Sequence, residues 1–372
     1  MTERITVSDF RLDGRTLVRL FDAARTDEAA VATRLGLRPV RPPAEAVDGE
    51  PDLVLRYVDE LPIHGRLRTA GRDEGAWTDD AFVIRRGPRP VALVPFEAIG
   101  RSAAEILVVR GTGAPAKLVS LLNLALLGGE RIAVHAAAVV HDGLGIAACG
   151  WSGSGKTEVL LGFMERGARY VGDEWVHASA AGMTGLPTPV RVQDWHLEQL
   201  PNLRAAIGRV TRLRLTAAGT IDGAVDGLAR RRFGGARRIA RLARPLSGRR
   251  SVDVPPVRLF GADRIATGVP LDRLFLLDTG LDETVRAEPI DPSIVADRLA
   301  LAHVHHRREL LSWYWQSRYA FPDRANDLLE RSEAIERTRL AELFAGRPAY
   351  RVEHPHRVSL IRLADEMERS LS

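Results

Sequence analysis

The feature that most constrains this chain is a glycine-rich loop near its middle, where residues 150–158 read GWSGSGKTE. The first eight residues match G-x-x-x-x-G-K-[ST], in which backbone N–H groups cradle phosphate oxygens. That mechanism needs a strand before the loop and a helix after it. The apolar run GIAACG ends at Gly150, and KTEVLLGFMERG places Val159, Leu160 and Phe163 near one helical face. The sequence therefore predicts a strand, phosphate loop and helix that bind a nucleotide.

The motif gives the loop residues their expected roles. Lys156 is expected to reach the β- and γ-phosphates, and the hydroxyl of Thr157 is expected to bind Mg²⁺. ATP and Mg²⁺ are the expected cofactors, with GTP and pyrophosphate left open as donors. The predicted cofactor-binding residues are Gly150, Ser152, Gly153, Ser154, Gly155, Lys156 and Thr157.

Phosphoryl transfer also needs a carboxylate near the metal or the nucleophile, and two candidates are present. Asp173 is followed by Glu174 and ends the short apolar run RYVG, whereas Asp278 ends LFLLD and is followed by Thr-Gly. Two acids at a strand end can divide metal binding and proton abstraction, so we favour Asp173 and expect Asp278 to lie in a plain turn. Residues 246–250, LSGRR, fall short of the signature of transporter-type ATPases, and an ABC-type ATPase is disfavoured.

Length and composition bound the class of protein. The chain has 372 residues, 45% of them hydrophobic, with 53 Lys+Arg against 48 Asp+Glu. The sequence pI of about 9.8 suits acidic partners, but the excess is too small to argue for nucleic acid. The single cysteine, Cys149, excludes an internal disulfide and is expected to be a small core residue in a reducing environment. No signal-peptide core and no apolar run near 18 residues is present, so a cytoplasmic protein without a membrane partner is expected.

The coarse organisation indicates two domains. Short β-prone runs between turn signals predict a small antiparallel sheet with one helical insertion near residues 26–37. A helical segment at 114–130 then marks the boundary between a β-rich N-terminal domain, 1–113, and a second domain, 114–372. The β-prone runs are 52–58, 81–86, 90–96 and 105–110. Helical periodicity follows over 293–345, and the chain ends in a strand and an amphipathic helix.

Residues 134–176 resemble the catalytic core of HPr kinase/phosphorylase and its HPr-kinase-like relatives. In that family a histidine precedes a hairpin, a G-x-S-G-x-G-K-[ST]-E loop follows, and an R-G-x-x-x-x-x-D-[DE] segment comes next. Here His135, Glu158, Arg166 and Asp173 occupy these positions with the family's spacing. The resemblance implies an α/β fold with a phosphoenolpyruvate-carboxykinase-like P-loop kinase core and a small β-rich N-terminal domain.

The resemblance also implies catalytic roles. Lys156 would hold the β/γ-phosphates, Asp173 would take the proton of the acceptor hydroxyl, and His135 would lie beside the transferred phosphoryl group. Thr157, Glu158 and Glu174 would serve the metal. Glu174 stands where the family has a second aspartate, Ala136 replaces a glycine, and no clear copy of the C-terminal signature loop is present. The resemblance therefore leaves open whether the reverse, phosphorylase reaction occurs and whether HPr is the substrate.

The arrangement of the N-terminal and C-terminal regions indicates which class of acceptor hydroxyl to expect. The β-rich N-terminal region and the ending PAYRV look like kinase-like members found beside ribosomally made peptides, which implies phosphorylation of a serine on a peptide or protein. Two alternatives stay open: a small-molecule hydroxyl kinase on the same core, and a nucleotide-gated binding module that releases inorganic phosphate. A homo-oligomer is compatible with the resemblance.

Other signals have weaker interpretations. Residues 228–250 contain nine arginines and no acid, and can be a surface segment, a docking patch for an acidic substrate or leader peptide, or a nucleic-acid contact, which the single aromatic Phe233 disfavours. The HVHH stretch, 303–306, is expected on a solvated helix face. Residues 312–319 are expected to pack as core and rim aromatics. The residues expected to line the acceptor side are Arg191, Asp194, Trp195 and His196.

Overall fold

The computed structural model describes residues 6–12, 14–41, 49–70, 74–101, 104–209, 211–212, 215 and 251–371. The arginine-rich segment 228–250, with its expected docking role, lies outside the described residues. Within them the chain is a mixed α/β protein with several sheets, which agrees with the class expected from the sequence. None of the helices in the described ranges is both long enough and apolar enough to cross a membrane.

The first sheet has seven strands in the order β1-β2-β3-β7-β6-β5-β4. They are β1 Val7–Leu12, β2 Thr16–Phe21, β3 Leu53–Val58, β4 Gly75–Trp77, β5 Phe82–Arg86, β6 Arg89–Leu93 and β7 Glu105–Val109. The expectation of an antiparallel sheet is only partly right, because β3 runs parallel to both β2 and β7. The physical reason is helix α1, Arg25–Leu35, which lies between β2 and β3 in the chain and supplies the crossover that parallel neighbours need.

The second sheet has six strands in the order β11-β9-β10-β16-β18-β17. Small strands β8, β12 and β13 form a three-stranded sheet, and β14 pairs with β15. The strands are β8 Ile132–Val134, β9 Ala136–His141, β10 Leu144–Gly150, β11 Arg169–Gly172, β12 Val176–Ser179, β13 Gly182–Gly185, β14 Val190–Gln193, β15 Ser251–Val254, β16 Arg273–Gly280, β17 Arg286–Ile290 and β18 Ala349–Pro355. The predicted hairpin is present: β9 and β10 pair across Asp142 and Gly143, both at positive φ, 48° and 81°.

Helices cover both faces of the six-stranded sheet. The helices that follow α1 in the described ranges are α2 Leu118–Leu127, α3 Lys156–Glu165, α4 Asp194–Gln199, α5 Pro201–Ala206, α6 Pro256–Phe260, α7 Pro292–Ala320, α8 Asp327–Glu330, α9 Ser332–Phe344 and α10 Leu360–Arg369, with 3₁₀ turns at Phe96–Ala98 and Ala262–Arg264. Along β10, Ile146 and Ala148 join the core formed with α3 and α10, whereas Ala147 and Cys149 join the core formed with α7 and α9. Cys149 is thus a small core residue, as expected.

Helix α7 links the two large sheets. Its first half contributes Val295 and Leu299 to the core against the six-stranded sheet, and its second half contributes Trp313 and Tyr314 to the core against the seven-stranded sheet. The segment 312–319 therefore packs as core and rim aromatics, as predicted, with Tyr319 exposed. The histidines 303–306 lie on the helix between these two contacts, and this placement brings them to the phosphate loop.

Candidate active site

Five chain segments meet at one edge of the six-stranded sheet. Strands β11, β10, β16 and β18 run in one direction, and β9 runs against them. The carboxyl ends of four strands and the amino end of β9 therefore lie together. The glycine-rich loop leaves the central strand β10 at this edge and enters α3. Ligand sites of α/β sheets form at such an edge.

The loop has the backbone conformation that only glycine accepts easily. Gly150 and Gly155 have φ of 153° and 92°. A Cβ at Gly150 would lie 2.4 Å from Ser154 Oγ, and one at Gly155 would lie 2.8 Å from the His354 ring. His354 Nε2 in turn lies 2.9 Å from the carbonyl oxygen of Ser154. The loop is thus closed on itself, with the N–H of Ser154 donating to the carbonyl oxygen of Trp151 at 3.1 Å, and it is held against β18.

Lys156 lies buried at the mouth of the loop. Its Nζ donates to the carbonyl oxygens of Gly150, 3.2 Å away, and Trp151, 2.8 Å away. Burial lowers its pKa, an effect that the nearby Glu174 carboxylate opposes. An ammonium group held inside a ring of backbone groups fits the phosphate contact that the motif assigns to it.

Three further polar atoms around the loop have no hydrogen-bond partner within the described ranges. They are Ser154 Oγ, His135 Nδ1 and His306 Nε2, and all three are buried. Buried polar groups are normally hydrogen-bonded, so unmet groups clustered beside a lysine need a partner. Phosphate oxygens of a bound anion would accept from the hydroxyl of Ser154 and from a protonated Nε2 of His306, whereas Nδ1 of the neutral His135 is an acceptor and would need a donor.

Asp173 lies directly against the loop. The hydroxyl of Thr157 donates to its carboxylate, with Oγ1 3.0 Å from Oδ2 and 3.3 Å from Oδ1. Asp173 is only 3% exposed. Burial, and then the charge of Glu174, raise its pKa to about 7, while the Thr157 hydrogen bond acts in the opposite direction. A carboxylate that titrates near neutrality has the basicity that proton abstraction requires.

Glu174 and His135 form a second pair beside Asp173. Their Oε2 and Nε2 atoms are 3.1 Å apart, and Glu174 takes the left-handed conformation, φ 69°, which is costly for a residue with a Cβ. Burial lowers the pKa of His135 to about 3, so a neutral ring with its proton on Nε2 donates to Glu174. That hydrogen bond lowers the pKa of Glu174 to about 2. Two adjacent acids are thus driven to pKa values far apart, as in sites that divide acid–base work between them.

The prediction that residues 303–306 form a solvated helix face is wrong. His303 is buried, and its Nε2 accepts a hydrogen bond from the backbone N–H of His135 at 3.1 Å. The His306 ring lies 3.9 Å from the His135 ring, centroid to centroid, and the His305 ring lies 4.7 Å from Trp151 on the loop. The reason is that α7 crosses the loop between its two core contacts. The spacing of His303 and His306 already placed them on one helix face, but it did not show that this face is buried.

Two of the predicted metal residues contact different histidines. Glu158 Oε1 lies 3.5 Å from Nε2 of the buried His196, whereas Glu174 pairs with His135. In the part of the chain that the structure describes, no three His, Cys, Asp or Glu side chains cluster as metal ligands. Mg²⁺ in phosphoryl-transfer sites is usually held by one or two side chains together with phosphate oxygens, and the hydroxyl of Thr157 would supply one such side-chain ligand. The metal roles of Thr157, Glu158 and Glu174 stay predictions.

Asp278, the alternative carboxylate, lies inside β16 rather than in a turn. Its Oδ2 is 2.6 Å from Nη1 of Arg298 and 2.9 Å from Nε of Arg351. Arg351 belongs to β18 and Arg298 to α7, and Asp278 follows Leu277, which pairs with Gly150 at the start of the loop. The carboxylate is thus part of a surface ion-pair group, and the turn expectation is corrected.

On the side of the loop opposite to Asp173 lies a cavity of about 180 Å³. Its walls are formed by the loop, the start of α3, the end of β16, the turn after β18 and the segment from β14 into α4. The lining residues are Gly153, Gly155, Glu158, Gln193, Trp195, Thr279, His354, His356, Arg357 and Val358. The sequence analysis named Gly153, Gly155, Glu158 and Trp195 singly, but it did not place them in one cavity, because the lining comes from four distant parts of the chain.

The residues expected on the acceptor side are separated in the structure. Trp195 lines the cavity, and His196 is buried against Glu158. Arg191 lies on β14 and pairs with Asp253 of β15, its Nε 3.2 Å from Oδ1. Asp194 begins α4. Trp195 and His196 thus face the cavity and Glu158, whereas Arg191 is engaged by Asp253.

Comparisons with known proteins add little. No protein-family model matches the chain, and no curated protein sequence matches it. Among solved structures, the Hpr(Ser) kinase/phosphatase from Coxiella burnetii matches with 15% sequence identity over 51% of this chain and 98% of that chain, at a TM-score of 0.20. A likeness this weak carries no weight for the site, whose chemistry follows from the contacts above.

Proposed function

We propose that the chain is an ATP- and Mg²⁺-dependent phosphotransferase of the HPr-kinase-like type. In this proposal residues 114–372 form a phosphoenolpyruvate-carboxykinase-like P-loop kinase domain and residues 1–113 a β-rich N-terminal domain. The observation that carries the proposal is the contact between Thr157 and Asp173. It joins the hydroxyl that the motif gives to Mg²⁺ with a buried carboxylate whose pKa is raised to about 7.

The side chains divide the work of such a reaction. ATP supplies the γ-phosphoryl group, and Mg²⁺ neutralises charge on its oxygens. Lys156, which now donates to backbone carbonyl oxygens, would hold phosphate oxygens, and the hydroxyl of Thr157 would be a ligand of the metal. Asp173, released from the Thr157 proton, accepts the proton of the acceptor hydroxyl, so that a poor nucleophile attacks as it loses its proton. Glu174 stays ionised and holds the neutral His135 in place.

The acceptor we favour is a serine of a peptide or protein, and the protein is expected to work in the cytoplasm. The support is the family resemblance of residues 134–176 and the layout of the two ends of the chain. The site chemistry is the same for any hydroxyl, so the acceptor must be found by experiment.

The test follows the label of γ-labelled ATP. The purified full chain and its Asp173→Asn variant are each incubated with Mg²⁺, labelled ATP and a size-fractionated lysate of the host. We expect label in a peptide or protein with the wild type only. Label in a small metabolite would favour the small-molecule kinase instead, and label released only as inorganic phosphate would contradict a kinase and favour the nucleotide-gated module. Transfer that survives in Asp173→Asn would show that the base is another group.

A further inference from the structure

When the γ-phosphoryl group of ATP faces Asp173, the part of ATP that is not transferred points toward the cavity beside the loop. Asp173 follows β11 and His135 precedes β9, which both lie on one side of the loop strand β10. Thr279 on β16 and the turn His356–Arg357 after β18 lie on the other side. We call these two sides the transfer flank and the cavity flank. Because the loop amides cradle the α- and β-phosphates between them, a triphosphate whose γ-phosphoryl group faces Asp173 extends toward the cavity.

The lining of the cavity suits a nucleoside. Trp195 presents an aromatic surface that is fixed on both sides: its Nε1 donates to Gln193 Oε1 at 3.1 Å, and its ring packs edge-on against His196 at 4.4 Å. Aromatic rings held in this way stack bases of any sequence. Glu158 offers carboxylate oxygens, the group that accepts hydrogen bonds from ribose hydroxyls in other nucleotide sites.

A cation completes the lining. Arg357 is exposed and has no hydrogen bond or ion pair with any residue in the described ranges. Its backbone takes the left-handed conformation, φ 60°, although it is not glycine. Strained residues of this kind gather at ligand sites, and an unengaged guanidinium beside a phosphate loop provides donors for phosphate oxygens.

We propose that this cavity is the nucleoside subsite of the phosphoryl donor, with Trp195 as the stacking surface, Glu158 as the ribose acceptor and Arg357 as the cation facing the phosphates. The inference rests on the proposed function, since it requires a nucleotide on the loop. It reassigns Trp195 from the acceptor side to the donor side. It also gives Glu158 a role that does not need the metal.

The experiment compares ATP with inorganic tripolyphosphate, which has three phosphates but no nucleoside. Binding of ATP and of inorganic tripolyphosphate, each with Mg²⁺, is measured by calorimetry on the full chain, on Trp195→Ala, on Trp195→Phe and on the exposed-surface control Trp315→Ala. We expect the wild type to bind ATP about 10-fold or more tightly than tripolyphosphate, because stacking on an aromatic side chain is worth that much. Trp195→Ala should remove most of this preference and leave tripolyphosphate affinity within about 2-fold, with Trp195→Phe restoring much of it.

Each other outcome has one meaning. If Trp195→Ala weakens both ligands equally, or neither, the cavity is not the nucleoside subsite and the proposed function is untouched. If the wild type binds tripolyphosphate as tightly as ATP, the donor needs no nucleoside and the inference is wrong. If the wild type binds neither ligand, the proposed function itself fails. Trp315→Ala must behave as the wild type, since a shift there would show that any tryptophan loss perturbs binding.

Discussion

The transfer flank and the cavity flank meet the same loop, yet they are built differently. On the transfer flank Asp173 and His135 are buried and held by hydrogen bonds to Thr157 and to the exposed Glu174. On the cavity flank, open volume remains and the cation Arg357 is exposed. The loop therefore separates a flank whose catalytic side chains are held in place from a flank whose open space can adapt to a ligand. Changes on one flank should therefore alter transfer, and changes on the other should alter donor affinity.

The largest effect should follow loss of the base on the transfer flank. Asp173→Asn is expected to lower kcat for phosphoryl transfer about 10²- to 10⁴-fold, the usual contribution of a positioned base, with the Kd for ATP within about 3-fold. Asp278→Asn is the matched control, because Asp278 is engaged by Arg298 and Arg351. Steady-state kinetics and calorimetry measure both. Equal losses in the two variants would contradict the choice of Asp173 over Asp278.

The same substitution should stabilise the free protein at high pH. Burial raises the pKa of Asp173 to about 7 from its ordinary value of 3.8, so folding favours the protonated form. The stability linked to that proton is fully present below about pH 4 and is lost as pH rises through 7. Asp173→Asn should therefore exceed the wild type by up to about 4 kcal/mol at pH 8 and converge with it near pH 4. Urea unfolding without nucleotide or Mg²⁺ measures the difference in unfolding free energy between the variant and the wild type. A difference that stays constant between pH 4 and pH 8 would contradict the argument that burial raises the pKa of Asp173.

Alanine substitutions at two loop glycines compare the cost of backbone strain alone with the cost of backbone strain plus a steric clash. Gly153 and Gly155 both have positive φ, 80° and 92°, but a Cβ at Gly153 meets nothing within 4 Å, whereas one at Gly155 meets the His354 ring. Gly153→Ala should cost about 1 kcal/mol of unfolding free energy, and Gly155→Ala about 2–4 kcal/mol. Denaturant unfolding tests the pair. An equal cost would show that His354 does not hold the loop.

The smallest effects are expected from two histidine substitutions, one on the transfer flank and one on the cavity flank. His306→Asn removes the ring that packs 3.9 Å from His135, and we expect kcat to fall about 3- to 10-fold with the preference for ATP over tripolyphosphate unchanged. His356→Asn, in the cavity wall, should do the reverse, raising the Kd for ATP a few-fold at constant kcat. Kinetics and calorimetry on both variants give the comparison. If both variants change kcat and Kd together, the division between the flanks is wrong.

The elements that the sequence predicts well are the local ones. The loop, α3, the β9–β10 hairpin and the final helix α10 all follow from glycine positions and apolar spacing within about 20 residues. Likewise the burial of Cys149 follows from its place in an apolar strand. Such features need no knowledge of what packs against them.

The features that the sequence does not reveal depend on distant partners. The pairing of β3 with parallel strands depends on how the chain crosses over between them. Which face of α7 is buried depends on the two sheets that contact its two ends. His303 and His306 lie between those contacts, so helical periodicity alone could not show that they reach His135. The cavity wall joins Trp195 to Arg357 across 162 positions of sequence, a pairing that no local pattern records.

The most direct test of the account is a crystal structure of the full chain with Mg²⁺ and a non-hydrolysable ATP analogue. We predict that the phosphates lie on the Gly150–Thr157 loop, with the γ-phosphate on the transfer flank beside Asp173 and the base on the cavity flank against Trp195. The reverse orientation, with the base beside His135 and Asp173, or a nucleotide bound away from the loop, would contradict it.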